Sequence, residues 1–268
     1  MTEADAVRGA ATAPPEDGGD GRHDGGGSGG DAGVAPVTLV QFPPVWGRNV
    51  SPFALKLEAW LRLADIPFEV RHSTALGRAP KGKLPYIVEG DGTAIGDSTL
   101  IIEHLKASRG IDPDAGLSSR ERAEALALQR LFEDHLYFIG LYSRWIDEEG
   151  WEPTSEAFFE AVPRPARGLA RTVVRERMRR ALHHQGMGRH SREEVYGLAR
   201  ADLWAAAEHL GERPFFAGDR PATIDAVAYG FLANIYLVPL ETELKRIALD
   251  FPSLLGWCEA MEQGLGQA

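Results

Sequence analysis

Ser51 stands directly before Pro52, at the head of a run whose apolar residues Phe53, Leu57, Trp60, Leu61 and Ala64 share one helical face. Serine followed by proline is a helix start, with Ser51 as cap and Pro52 in the first turn. Such a start presents N–H groups without intrahelical partners and a partial positive charge. A thiol held there loses its proton more easily, and a serine hydroxyl there donates a charge-assisted hydrogen bond to the thiolate. Ser51 therefore either only caps the helix or also contacts a bound thiolate. Two further places could hold the rest of such a ligand. Pro85 follows Lys83-Leu84 and opens an apolar strand. A cis peptide at Pro85 would turn the Leu84 backbone outward, where an extended peptide pairs as an added strand; an ordinary trans proline is the alternative. Lys83 could meet a ligand carboxylate or stand solvated. Asp97-Ser98 opens another helix and could hold both ends of an amino-acid-like group, with Ser98 and the helix N–H groups on the carboxylate and Asp97 on the ammonium; plain capping by Asp97 is the alternative.

The elements that must position these residues follow from hydrophobic period and turn chemistry. Residues 1–36 read as a disordered, Gly-rich tail. Its seven acidic residues and two arginines put half of the net charge of −10 outside the fold. Val37 to Phe42 reads as a strand, Pro52 to Leu63 as a helix and Phe68 to His72 as a second strand, a β-α-β unit with a parallel pair. After a loop or weak helix over 73–83 comes a hairpin, Leu84 to Glu89 and Thr93 to Ile95 about Gly90-Asp91-Gly92, then a helix from Thr99 to Ser108. Beyond Gly116 everything reads helical: one helix or two over 118–149, an irregular stretch with three prolines over 151–165, and a helix over 168–185 with a core stripe at Leu169, Val173, Met178 and Leu182. Next come a helix opened by the Ser191/Glu194 capping box, a buried helix over 224–237 and a last one after Pro252.

This order resembles the glutathione transferase superfamily, an α/β thioredoxin-like N-terminal domain (37–109) followed by an all-α C-terminal domain (117–265). The resemblance rests on Ser51-Pro52-Phe53-Ala54 after the first strand, Lys83-Leu84-Pro85, Asp97-Ser98, and Thr223-Ile224-Asp225 after Gly218-Asp219. Trp46-Gly47, Lys56-Leu57-Glu58 and Asp97-Ser98-Thr99 look closest to the failed-axon-connections and metaxin-related branch. The resemblance implies Ser51 as the catalytic residue, a cis Pro85, and Lys83, Leu84, Pro85, Asp97 and Ser98 as ligand-binding residues. The co-substrate it implies is glutathione or another low-molecular-weight thiol, transferred to an apolar electrophile; a non-catalytic binding or scaffolding protein on the same fold is the other reading. Thiol–disulfide exchange through a protein cysteine is excluded at this site, because Ser51 and Ala54 stand where redox relatives carry cysteine. Ala222 replaces the capping Ser or Thr before Asp225, so Thr223 must cap or the motif is partly lost, and Asp225 is read as fold-supporting.

Other features bound the function. The acidic balance, with a pI near 5.3, argues against a nucleic-acid-coating protein. A single cysteine, Cys258, leaves no disulfide framework or cysteine-based zinc site and fits the cytoplasm. No apolar run is long enough to span a membrane, and adjacent His183 and His184 diverge on a helix, so no metal is expected. The arginines from Arg164 to Arg180 read as a solvated face. Trp46, Tyr137, Tyr142 and Trp145 are candidates for a substrate pocket or for core. The oligomeric state stays open, a homodimer being one option.

Overall fold

The computed structural model describes residues 35–266, so the expected tail lies, but for its last two residues, outside the described residues. A four-stranded sheet is built from β1 (Val37–Gln41), β2 (Phe68–His72), β3 (Tyr86–Val88) and β4 (Ala94–Gly96), in the order β2-β1-β3-β4. β1 runs parallel to β2, and β3 is antiparallel to both β1 and β4. Helix α1 (Pro52–Leu63) makes the β1–β2 crossover and α2 (Ser98–Arg109) follows β4. Val37, Leu39 and Ile87 on one sheet face pack with Leu57, Trp60, Leu61, Ile101, Ile102 and Leu105. Between β2 and β3 the chain makes only one 3-10 turn, Leu76–Arg78. The other face is therefore thinly covered, with Val40 and Tyr86 under Leu76, Ala79 and Leu84.

The helical half comprises α3 (Ser119–Arg130), α4 (Tyr137–Trp145), α5 (Glu148–Phe158), α6 (Arg164–Gln185), α7 (Arg192–Leu210), α8 (Thr223–Tyr236), α9 (Glu243–Ala248) and α10 (Pro252–Gly266). Ser118/Glu121 and Ser191/Glu194 form complete capping boxes for α3 and α7. Every residue of α8 after Thr223 is buried, and one continuous core joins α8 to the sheet. Among the described residues no helix is long and apolar enough to cross a membrane.

Two expectations need correction and two are refined. Over 118–149 the chain is helical from Ser119 to Trp145 through a π turn, Leu131–Leu136, that joins α3 to α4, and α5 begins at Glu148. The stretch after Trp151 is helical to Phe158 despite Pro153. That proline forfeits one hydrogen bond, to Glu149, while Trp151 is buried against Trp145 at 6.1 Å between ring centres. Helix α6 begins at Arg164, and its expected core stripe is only half real, since Leu182 is buried but Leu169 is 71% and Val173 50% exposed. Thr223 does not cap α8; it is the first helical residue, and its hydroxyl accepts from Trp60 Nε1 at 3.1 Å.

Asp225 retains the acidic half of the cap. Its carboxylate accepts from Phe216 N–H at 2.7 Å and Ala222 N–H at 2.9 Å. Burial pushes its pKa up to about 6 against those backbone hydrogen bonds, leaving it ionised at neutral pH. Asp225→Ala strands both donors in the interior and is expected to cost about 2–3 kcal/mol. Urea denaturation checks this, and an unchanged midpoint would mean that the two N–H groups find other acceptors.

Candidate functional site

Strand register brings the predicted ligand-binding residues to one end of the sheet. Val40 near the end of β1 pairs with Tyr86 at the start of β3, and Tyr86 in turn pairs with Gly96 at the end of β4. Leu84-Pro85, one step before β3, and Asp97-Ser98, one step after β4, therefore share the end at which β1 runs into the loop carrying Ser51. That loop is tied back to β1 by Asn49, whose Nδ2 donates to Phe42 O at 3.1 Å while its Oδ1 accepts from Ser51 N–H at 2.9 Å. A tight turn with positive φ at Trp46 and Gly47 (54° and 79°) reverses the loop, and Val45 and Arg48 exchange backbone hydrogen bonds across it.

Ser51 has extended backbone angles (φ −85°, ψ 113°) and its side chain makes no cap hydrogen bond. Its carbonyl accepts the first helical N–H groups, from Ala54 and Leu55. Among the described residues the hydroxyl thus has no hydrogen-bond partner, at the positive end of a helix. The Leu84–Pro85 peptide is cis, and the Leu84 backbone lies outside the β1–β3 ladder, which begins at Tyr86. Asp97 does cap α2: Oδ1 accepts from Thr99 and Leu100 N–H at 3.0 and 3.2 Å, with a left-handed φ of 84°. Both halves of its expected role can coexist, because one carboxylate oxygen serves both cap bonds. Ser98 is 4% exposed. Lys83 is exposed and, among the described residues, has no ion pair.

Of the four aromatic candidates, Trp46 and Trp145 share a neighbour, Phe158, and the other two pack elsewhere. Trp46 meets Phe158 edge-on at 6.2 Å, Tyr142 meets Tyr196 at 6.2 Å, and Trp145 meets Phe158 at 5.2 Å. Tyr137 sits against Phe53 in the first turn of α1, at 5.0 Å, and against Phe231 of α8. Tyr137 thus packs on the first turn of the helix that Ser51 opens. Desolvation raises its pKa, so its phenol stays protonated at neutral pH. An apolar groove of about 560 Å³ opens elsewhere, beside Arg62 and Leu63 at the far end of α1, with Phe215, Trp257 and Met261. Cys258 is fully buried and desolvation pushes its thiol up to about 12.

Residues 52–150 match the family model for the glutathione S-transferase N-terminal domain, and residues 199–261 that for the glutathione S-transferase C-terminal domain. The isoprene-epoxide–glutathione S-transferase of Rhodococcus sp. (strain AD45) is 40% identical over 235 residues, covering 85% of this chain and 98% of that protein. This chain belongs to the glutathione transferase family. Failed axon connections of Drosophila melanogaster is 31% identical over 80% of this chain and 54% of its own length, and metaxin-1 of Sus scrofa 31% identical over 84% and 74%. The transferase fold is seen again in the crystal structure of rice GST1 in complex with glutathione, with a TM-score of 0.55 at 18% identity over 85% of this chain and 86% of that one. A glutathione transferase family member from Pseudomonas fluorescens, with two glutathione molecules bound, gives 0.54 at 16% identity over 85% and 92%.

In this family member, two supports of the candidate site escape a reading of the sequence. Lys56, on the buried face of α1, is fully enclosed and pairs with Glu133 of the π turn at 2.6 Å and with Thr99 of α2 at 2.9 Å. Desolvation lowers its pKa, with Glu133 opposing. π turns are frequent at functional sites, and here the turn delivers the carboxylate. Asn49 is the second, holding Ser51 in its extended cap conformation. A lysine on an apolar helix face between Leu55 and Leu57 was the one available signal for the first; nothing local marked the second.

Proposed function

We propose that this protein binds a glutathione-type thiol with its sulfur at the start of α1 and transfers it to a small apolar electrophile of the epoxide class. The uncommitted Ser51 hydroxyl at a helix N-terminus carries this reading. Ser51 donates to the thiolate, Leu84 pairs its free backbone with the peptide part, and Asp97 with Ser98 takes the amino-acid end. The thiolate sulfur attacks a ring carbon, the C–S bond forms as the C–O bond breaks, and the alkoxide takes a proton from solvent. The electrophile class follows the name of the Rhodococcus relative.

A free thiol with pKa near 8.5 is only a few per cent ionised at neutral pH, so a transferase must raise that fraction. Ser51→Ala is expected to raise the bound thiol's pKa and slow turnover roughly 10–100-fold, equivalent to about 1.5–3 kcal/mol, with affinity for the un-ionised thiol nearly unchanged. Ultraviolet titration of bound glutathione beside conjugation rates for a panel of epoxides tests it. The likeness to failed axon connections and metaxin-1 favours a second reading, a binding or scaffolding protein without catalysis. A wild-type protein with neither bound thiolate nor conjugation would select that one.

A further inference from the structure

Arg144 of α4 points its guanidinium at the loop that carries Ser51. Nη1 donates to Val50 O at 3.0 Å, the carbonyl whose carbon is bonded to Ser51 N. Nη2 donates to Asn234 of α8, at 3.2 Å to its backbone O and 3.3 Å to Oδ1. Asn234 Nδ2 in turn donates to Gly230 O at 3.0 Å and reaches Asn49 O at 3.5 Å. One cation of the helical half thus grips the residue before Ser51, and through Asn234 it reaches the residue before that.

Among the described residues this guanidinium has no carboxylate partner. The charged groups on the surrounding elements are engaged elsewhere. Asp147, just past α4, takes Arg192 and Tyr196 of α7. Arg175 of α6 holds Glu148 of α5, and Glu133 of the π turn holds Lys56 of α1. On α9, Arg246 takes Glu149 and Glu243, and at the same helix Lys245 takes Glu241. In the Ser51 loop itself, Arg48 is paired with Glu262 of α10, which also takes Tyr229 of α8. The titratable group that acts on Arg144 is the phenol of Tyr137, which is neutral at physiological pH. Desolvation lowers the guanidinium pKa to about 10, which still leaves it charged at pH 7.

We propose that Arg144 is a positioning residue for Ser51 that also supplies the uncompensated positive charge favouring a thiolate at the start of α1. A buried charge is ordinarily paired, and backbone carbonyls neutralise no charge. An anion arriving at Ser51 would supply the missing partner, adding a full charge to the partial charge of the helix terminus. The inference rests on the thiol-binding reading above and assigns it a second source of thiolate stabilisation.

The test is an ultraviolet titration of glutathione bound to wild type, Arg144→Gln, Arg144→Lys and Asn234→Ala, with a thermal melt of each and the pH profile of kcat/KM. Arg144→Gln is expected to raise the bound thiol's pKa by about one unit, moving the acid limb of the profile with it. Arg144→Lys keeps the charge and should retain most of the depression even if it melts lower, so it decides the matter if Arg144→Gln fails to fold. Asn234→Ala loosens the same loop without removing the charge and should shift the titration by much less. Affinity for S-methylglutathione, which has no thiolate, should be equal in wild type and Arg144→Gln, while glutathione at pH 8 should bind about tenfold more weakly to the variant. A wild-type thiolate whose pKa is unmoved in Arg144→Gln overturns the charge role while leaving the thiol-binding reading standing. An equal shift in Asn234→Ala, or in Arg144→Lys, also overturns it, reducing Arg144 to a tether. A wild type with no bound thiolate overturns both the inference and the reading beneath it.

Discussion

Lys56→Met is expected to lower the unfolding free energy by about 3–5 kcal/mol, because it leaves Glu133 charged in the interior without its cation. Glu133 is 6% exposed. Once Nζ is gone, its remaining partners are Gln129 Nε2, at 3.2 and 3.1 Å from its two oxygens, and Arg130 at 3.9 Å. Thr99 Oγ1, which accepts from both Lys56 and Gln129, loses one donor as well. The double variant Lys56→Met/Glu133→Leu removes both charges and should recover most of the loss, since an apolar pair of similar volume is often no worse than a buried ion pair. The complementary Glu133→Gln removes the group that opposes Lys56 deprotonation. A lysine whose folded pKa lies below its unfolded one binds fewer protons folded than unfolded, so stability rises with pH. The Glu133→Gln protein should therefore gain stability as pH climbs toward the ordinary lysine value, and gain more than wild type does. Urea unfolding of the four proteins at two pH values measures all of this. A Lys56→Met protein as stable as wild type would show that the Lys56–Glu133 pair contributes nothing to the fold.

The parts of the fold that local chemistry dictates were legible in the sequence. The Ser191/Glu194 capping box was readable because cap and counter-cap lie three residues apart, and α8 because its apolar residues run all round the helix. Prolines misled the reading over 151–165: a breaker signal assumes a long helix, whereas α5 is 11 residues and loses one bond to Pro153. Periodicity misled it on α6. Spacing says that Leu169, Val173 and Leu182 can share a face, but not that anything packs there; the first half of that helix packs instead through Ala170 and Val174, against Trp145, Trp151 and Phe159.

The site divides the same way. Ser51, Leu84-Pro85 and Asp97-Ser98 are short motifs whose meaning lies within a few residues, and the sheet register that puts them at one end follows from the hairpin and the crossover. The part of Thr223 stayed open in the sequence because it is set by Trp60, 163 positions away. Lys56 and Arg144 were opaque for the same reason. The partners that define them lie 77 and 90 positions away, on Glu133 and Asn234, and only the folded chain brings them within reach.

Gly230→Ala is expected to be strongly damaging for a single added methyl, because it strikes the crossing of α1 and α8. A Cβ on Gly230 would stand 2.5 Å from Pro52 O and 2.7 Å from Lys56 N. Both are backbone atoms, so no side-chain rotation relieves the overlap and α1 itself must move. Overpacking ordinarily costs 1–3 kcal/mol when side chains can yield; against rigid backbone about 3–5 kcal/mol is expected. The consequence for function is sharper. Pro52 adjoins Ser51, so under the proposed function a displaced first turn carries the hydroxyl away from the ligand sulfur, and a misplacement near 1 Å costs on the order of 100-fold in rate. Arg144 and Asn234 then hold Val50 and Asn49 in place while the helix after them shifts, which opens the cap geometry at Ser51 itself. Thermal melts should show the stability loss, and conjugation rates at a temperature where the variant stays folded should show the loss of turnover, with glutathione affinity falling less than the rate. A Gly230→Ala protein with wild-type melting and wild-type turnover would mean that α1 and α8 can separate freely, and that the helical half does not set the position of Ser51.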